Sequence, residues 1–263
     1  MAVSTDESLL DTFPGRLFIE HLRYRCPAGI APAAFVSAMQ PEDLIRAAAS
    51  AVGGYLYSGD CLGVVHLDAN DPELLEFNTA GLAALSKLST FESPQIHQGT
   101  VREFRAPSID NRDDLSPLPR GAFWTSTPIT DSEDSWTASG ENVDRERPRL
   151  EVHFDTTLVR VARVDSARDW AALIDSNAVT ARGCKYPDWP AIAESWDAVH
   201  LSAAGLLLAH PTISTTPFIT TDGSGYAHSQ AGPYASVAAW SAVSTAWLRE
   251  PPNLRFRSTI DRA

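Results

Sequence analysis

No stretch of the chain comes near the ~18–20 consecutive apolar residues that a membrane-spanning helix needs. Cysteine is scarce: Cys26, Cys61 and Cys184 are the only three in 263 residues. They include no Cys-x-x-Cys pair, so neither a disulfide framework nor a zinc site is signalled. They read as reduced, mostly buried thiols. Basic residues are few, 21 against 33 acidic, giving a formal net charge of −12. Their local clusters, 21–25 (HLRYR) and 145–149 (RERPR), are short. A surface that displaces counterions from phosphates over any length is therefore not expected, and nucleic acid is disfavoured as a partner. Gly-x-Gly-x-x-Gly, a Walker A run, Gly-x-Ser-x-Gly and His-Glu-x-x-His are all missing. The seven histidines never fall at ligand spacing, so no metal is expected. Residues 1–14 carry acidic side chains and no apolar core, unlike a secretory signal. The expectation is a soluble, cytoplasmic protein.

What is present fits an ordinary globular chain, 44% hydrophobic and 21% charged, able to bury a core without staples. One domain over 1–263 is expected, with a helix-rich part over 1–106 and a strand-rich part over 107–263. RLFIEHLRY at 16–24 reads as a strand. Pro41-Glu42-Asp43 opens a helix with Leu44, Ile45, Ala48 and Val52 inward, and Gly53-Gly54 stops it. Residues 55–58 read as a strand closed by a Ser58-Gly59-Asp60 turn, and 62–67 (LGVVHL) as a buried strand. Asp71-Pro72-Glu73 starts a helix with Leu74, Leu75, Leu82 and Leu85 inward. After a loop at 107–120, residues 123–127 form a strand, and 130–148 is polar and irregular.

Residues 150–154 and 158–164 read as two strands joined across 155–157. Ser166 and Asp169 have the spacing of a capping box, with Trp170, Leu173 and Ile174 on the buried face of the helix that follows. A short helix at 188–196 and a strand at 198–201 come next. Residues 211–233 form a long Thr-, Ser- and Gly-rich loop of the kind that serves as a lid or lacks order. The last element, 237–248, fits a helix on Trp240, Val243 and Trp247 or a strand on Trp240, Ala242, Ser244, Ala246 and Leu248, and the strand is the preferred reading. The mixture is irregular rather than strictly alternating, which points to α+β over a doubly wound sheet.

Candidate chemistry concentrates where aromatics meet hydroxyls. In Phe123-Trp124-Thr125-Ser126-Thr127, Trp124 and Ser126 share one strand face while Thr125 and Thr127 share the other. An aromatic that stacks and a hydroxyl that hydrogen-bonds suit the ring and ribose of a nucleotide; as a plain alternative, Phe123 and Trp124 are core. On the strand at 198–201, His200 beside Asp197 is a candidate acid, base or orienting donor, although a lone strand histidine is more often structural.

Taken in order, residues 123–127, 150–169, 188–202 and 240–249 resemble a family of actinobacterial proteins similar to ADP-ribosyltransferases. The likeness covers the C-terminal half. It implies a split, twisted, mainly antiparallel sheet with flanking helices that clasps NAD as substrate. It further implies that Arg23 or Arg25 serves the NAD phosphates or ribose and that Trp124, Thr125 and Thr127 shape the nicotinamide pocket. His200, Asp197 and Ser126 are the implied catalytic set. The activity implied is ADP-ribosyl transfer or NAD glycohydrolysis, in which a carboxylate stabilises an oxocarbenium-like transition state. Two positions depart from the pattern: Ser58 stands where an arginine is expected before Gly-Asp, and Val243 where a glutamate is expected in the late strand. The acid is then supplied by Asp197 or Glu151, or the chain is a non-catalytic interaction protein on the same fold with a protein partner. A hydrolase or biosynthetic enzyme using His200 is a third reading.

Overall fold

The computed structural model describes residues 7–58, 61–64, 66–101, 104–112, 116–141, 147–181, 183–213, 233–237 and 239–258. Most of the 211–233 loop lies outside the described residues.

Among the described residues, five α-helices precede the sheet. Helix α1, Phe13–Arg25, replaces the strand expected at 16–24. The Thr12 hydroxyl accepts from the Gly15 N–H at 3.0 Å and Pro14 sits in the first turn, both helix-start signals. Phe18, Ile19 and Leu22 are fully buried at helical spacing. Helix α2 is Pro32–Ser37. Helix α3, Pro41–Gly53, buries Leu44, Ile45, Ala48 and Val52 as expected.

The α-helical run ends at the two glycines, as expected, but the chain does not turn away there. Gly54 keeps a right-handed conformation, and the chain runs on as a π-helical turn over Gly54–Ser58, where a strand was expected. Gly53 serves close approach instead, since a Cβ there would meet the Ser139 carbonyl oxygen at 1.9 Å. Gly53→Ala should therefore cost about 2 kcal/mol, the overpacking outweighing the gain in helix propensity. Chemical denaturation would show it; a more stable variant would mean that Gly53 is only a helix breaker.

The described part of 62–67 is likewise not a strand: Cys61–Val64 forms a single helical turn, α4. The buried Arg16 side chain donates to the carbonyls of Leu10, Val64 and Leu67 at 2.6, 3.2 and 3.0 Å. Those carbonyls thus need no ladder partner. Helix α5, Pro72–Leu85, is capped by Asp71 and turns Leu74, Phe77 and Leu85 inward. Leu75 projects outward, 44% exposed, because 74, 77, 81 and 85 already complete the buried stripe. Among the described residues, no helix is long and apolar enough to cross a membrane.

The sheet begins only after α5. Its strands are β1 (Gln95–Gln98), β2 (Phe123–Ser126), β5 (Arg149–His153), β6 (Val161–Val164), β9 (Ala198–Leu201), β10 (Ser244–Trp247) and β11 (Arg255–Ser258). They line up as β11-β5-β1-β2-β10-β9-β6. Every pairing is antiparallel except β6 with β9. The fold is thus α+β with a mainly antiparallel sheet. The two strands expected to be joined at 155–157 are not neighbours, since β5 lies next to one edge and β6 forms the other. Asp155 caps a 3-10 turn at Thr156–Leu158 instead of a hairpin turn.

Small elements fill the rest. Strands β3 (Pro128–Thr130) and β4 (Glu133–Asp134) form a ribbon that leads into helix α6, Ser135–Ser139, inside the stretch expected to be irregular. The parallel pair is bridged by α7 (Ala167–Ser176), the ribbon β7 (Ala178–Ala181) and β8 (Cys184–Pro187), and α8 (Trp189–Ser195). The capping box at α7 holds: Ser166 Oγ accepts from Asp169 N at 3.0 Å, and Asp169 Oδ2 accepts from Ser166 Oγ and from Asp165 N. Helix α9, Ala203–Leu208, is wholly buried.

The two sheet faces differ. One carries the main core, where Val199, Leu201, Ala246 and Val164 meet α1, α3 and α9. The other holds a small cluster of Phe91, Val152, Phe154, Ala198 and Trp247. Cys184 is buried and Cys26 partly so.

Candidate functional site

The aromatic–hydroxyl strand β2 sits at the centre of the sheet, paired with β1 and β10. Central position explains its burial. Trp124 faces the main core and packs edge-on against Trp240 at 5.0 Å. Ser126 is fully buried and weakly donates to the Ile96 carbonyl at 3.4 Å. Thr125, on the opposite face, donates to Gln95 Oε1 and accepts from Trp247 Nε1 at 2.9 Å. All three side chains are thus engaged inside the fold. Thr127 differs: one residue beyond the strand, its hydroxyl donates to the Thr90 carbonyl at 3.1 Å.

His200 is not exposed at a strand end but fully buried on β9. Its Nε2 lies 2.7 Å from Thr90 Oγ1 and its Nδ1 lies 2.9 Å from Thr245 Oγ1. The Phe91 ring covers it at 5.4 Å. Burial, aided by the nearby Arg163, pushes its pKa down to about 3. A neutral ring with both nitrogens bonded anchors the segment that carries Thr90 and Phe91, and does not exchange protons with a ligand.

Asp197 is clamped as well. It accepts from Arg160 N at 2.9 Å and Arg160 Nη2 at 2.6 Å, with Arg249 Nε at 3.7 Å. The Arg160 hydrogen bond holds its pKa below the usual carboxylate range. Arg23 bridges Glu20 and Glu73 on the surface shared by α1 and α5, at 3.2 and 3.0 Å. Arg25 is exposed in the same last turn of α1. The implied set of Arg23, Arg25, Trp124, Ser126, Asp197 and His200 therefore does not converge on one opening. Val243 is buried, and its N–H donates to Ser135 Oγ at 2.8 Å.

An opening does exist beside β2. A cleft of about 630 Å³ lies between the start of α3, the segment 87–94, the turn from Thr127 to Asp131, and β5. Pro41, Ile45, Leu88, Ile96 and Ile129 give it an apolar floor. Ser89, Thr90, Ser93, Thr127 and Thr130 add hydroxyl-bearing residues, and Glu42, Glu92, Asp131 and Glu151 add carboxylates against the single cation Lys87. Of the residues singled out in the sequence, Thr127 and Glu151 reach it.

Glu151 is distinct from the rim carboxylates because it is only 5% exposed. Its position on β5, second from the sheet edge, explains that: Ile96 of β1 flanks it on one side and Arg257 of β11 on the other. Its Oε2 accepts from His153 Nε2 at 3.1 Å, two residues along the same strand face. His153 is 37% exposed, so the pair joins a buried carboxylate to solvent. Glu-x-His on a strand is a legible signal, yet it carries weight only once β5 is known to wall a cleft. The turn at 128–131 is held from behind by Asp134, a fully buried carboxylate.

Among the described residues, no group of three or more His, Cys, Asp and Glu is arranged to hold a metal ion. Comparison with known proteins gives no match to a family model, to a curated protein or to a solved structure.

Proposed function

We propose that the cleft between α3 and β5 binds the ribosyl part of a nucleotide such as NAD, and that the protein cleaves or transfers at the glycosidic bond. This is the ADP-ribosyltransferase-like reading, with the site moved from Trp124, Ser126 and His200 to Thr127 and Glu151. The observation that carries it is the buried Glu151 carboxylate in the wall of a cleft lined by hydroxyl-bearing residues. Hydroxyls and carboxylates are the groups that recognise a polyol, and the apolar floor suits a planar ring.

Heterolysis of the C1′–N bond leaves the electron pair on the departing base and positive charge on the ribosyl carbon and ring oxygen. A carboxylate fixed beside that carbon stabilises the charge as it develops. Water or an acceptor then attacks C1′ and loses its proton, a proton that His153, hydrogen-bonded to Glu151 at 3.1 Å, takes up or relays toward solvent in this reading.

Glu151→Gln preserves shape and the hydrogen-bond acceptor but removes the charge. It should lower nicotinamide release from NAD by about a hundredfold or more, read by chromatography, with the unfolding midpoint little changed. NAD left intact by the wild-type protein, or equal turnover by the variant, would sink the reading. In the alternative, a non-catalytic interaction protein, Val243 keeps its buried structural place and NAD binds without being cleaved.

A further inference from the structure

We propose that Arg255 and Arg257 form an anion site on the edge of the sheet that receives the phosphates of the nucleotide held by the cleft. The proposal rests on the nucleotide reading for its ligand, though not for its location.

Strand β11 pairs with β5 so that Arg257 lies directly opposite Glu151 and Arg255 opposite His153. Residues directly opposite in an antiparallel ladder project from the same face. Both guanidiniums therefore stand on the face from which Glu151 enters the cleft. Both residues are exposed, with no ion pair to another described residue. That contrasts with Arg46, Arg149 and Arg160, which are tied to Glu133, Asp134 and Asp197. An edge strand in a chain of net charge −12 that presents two free cations on one face is an unbalanced local charge.

The cleft has the opposite imbalance, four carboxylates against Lys87. Phosphates are repelled from it. A ligand with a ribosyl head and a phosphate tail is thus oriented by the field, head toward Glu151 and tail over β11. Guanidinium forks match phosphate oxygens in a way that an ammonium does not. Alternate residues on a strand are about 7 Å apart, which suits an anion with more than one charged centre.

Titration calorimetry on the full chain tests this with three probes: inorganic pyrophosphate, ADP-ribose and nicotinamide riboside, which has no phosphate. Wild type should bind pyrophosphate, more weakly as salt is raised. R255Q/R257Q should weaken pyrophosphate and ADP-ribose about tenfold or more and leave the riboside unchanged within about twofold. R257Q alone should give a partial loss, and R255K/R257K should recover part of the binding. The proposal is overturned if wild type takes neither phosphate ligand, or if both bind R255Q/R257Q as they bind wild type. Arginine-dependent pyrophosphate binding without any binding of the riboside or of NAD would instead overturn the cleft reading and leave the anion site standing.

Discussion

Acidification from about pH 6.5 to about pH 5 is expected to remove about 3 kcal/mol of folding stability through two histidines alone. His200 and His210 are both buried, and burial pushes each pKa down to about 3. Below about pH 6.5 the unfolded chain takes up protons at these positions that the folded chain refuses, so stability falls with pH. The contribution is whole above the unfolded pKa and is lost progressively as pH drops toward the folded one. Each histidine's share steepens from about half of 1.4 kcal/mol per pH unit at pH 6.5 toward the full value near pH 5. For His200 the nearby charges are Arg163, which adds to the depression, and Asp165, which opposes it.

His210 offers the cleaner test. Neither ring nitrogen has a hydrogen-bond partner among the described residues, and its ring meets Tyr55 edge-on at 5.4 Å. His210→Phe keeps a ring against Tyr55 and removes two buried, unsatisfied polar atoms. Near neutral pH its stability should match or exceed wild type, since an apolar replacement there abandons no partner. Its loss of stability on acidification should shrink by about half of the two-histidine effect. Urea unfolding at several pH values decides it. An acid slope identical to that of wild type would mean that His210 is hydrated or already protonated in the fold.

How much of this was legible depended on whether the deciding physics was local. Helices α3, α5 and α7 could be read because their starts are written in adjacent residues: Pro41-Glu42-Asp43, Asp71-Pro72-Glu73, and Ser166 with Asp169. The α1 segment carries equally local signals in Thr12 and Pro14. They precede the run of residues that resembled a strand, and Phe18, Ile19 and Leu22 satisfy a helical period just as well. Helix α4 could not be read, since its Val64 carbonyl and the Leu67 carbonyl just after it are satisfied by Arg16, about fifty positions earlier.

The same division runs through the site. Alternation places Thr125 and Thr127 on one side of β2, but it does not reveal which side a loop will cover. His200 is inaccessible because the segment carrying Thr90 and Phe91 crosses over it. Glu151 reaches a cleft because β5 pairs with β1 and β11 rather than with β6. Neither fact follows from spacing along the chain.

Asp134→Ala is expected to destabilise the fold by about 3–5 kcal/mol and to disturb the cleft together with it. Asp134 is fully buried and accepts from Gln98 Nε2, Thr137 N and Thr137 Oγ1 at 2.9, 3.0 and 3.2 Å on one oxygen. Its other oxygen accepts from Gln98 Nε2 at 2.8 Å and Arg149 Nε at 3.2 Å. One carboxylate thus caps α6, holds β1 and neutralises an arginine on β5 whose side chain is 15% exposed. Truncation strands several donors at once, which costs far more than the net worth of any single bond. Arg149 also donates Nη1 to the Asp131 carbonyl at 2.9 Å, and Asp131 and Thr130 line the cleft. Loss of Asp134 therefore loosens the turn that forms one cleft wall. Asp134→Asn, which keeps the shape and one strong acceptor, should cost less than half as much. Chemical denaturation ranks the two variants, and protection of the 128–131 amides by hydrogen exchange reports the wall. Equal stability of wild type and Asp134→Ala would mean that the network is solvated and that the turn stands without it.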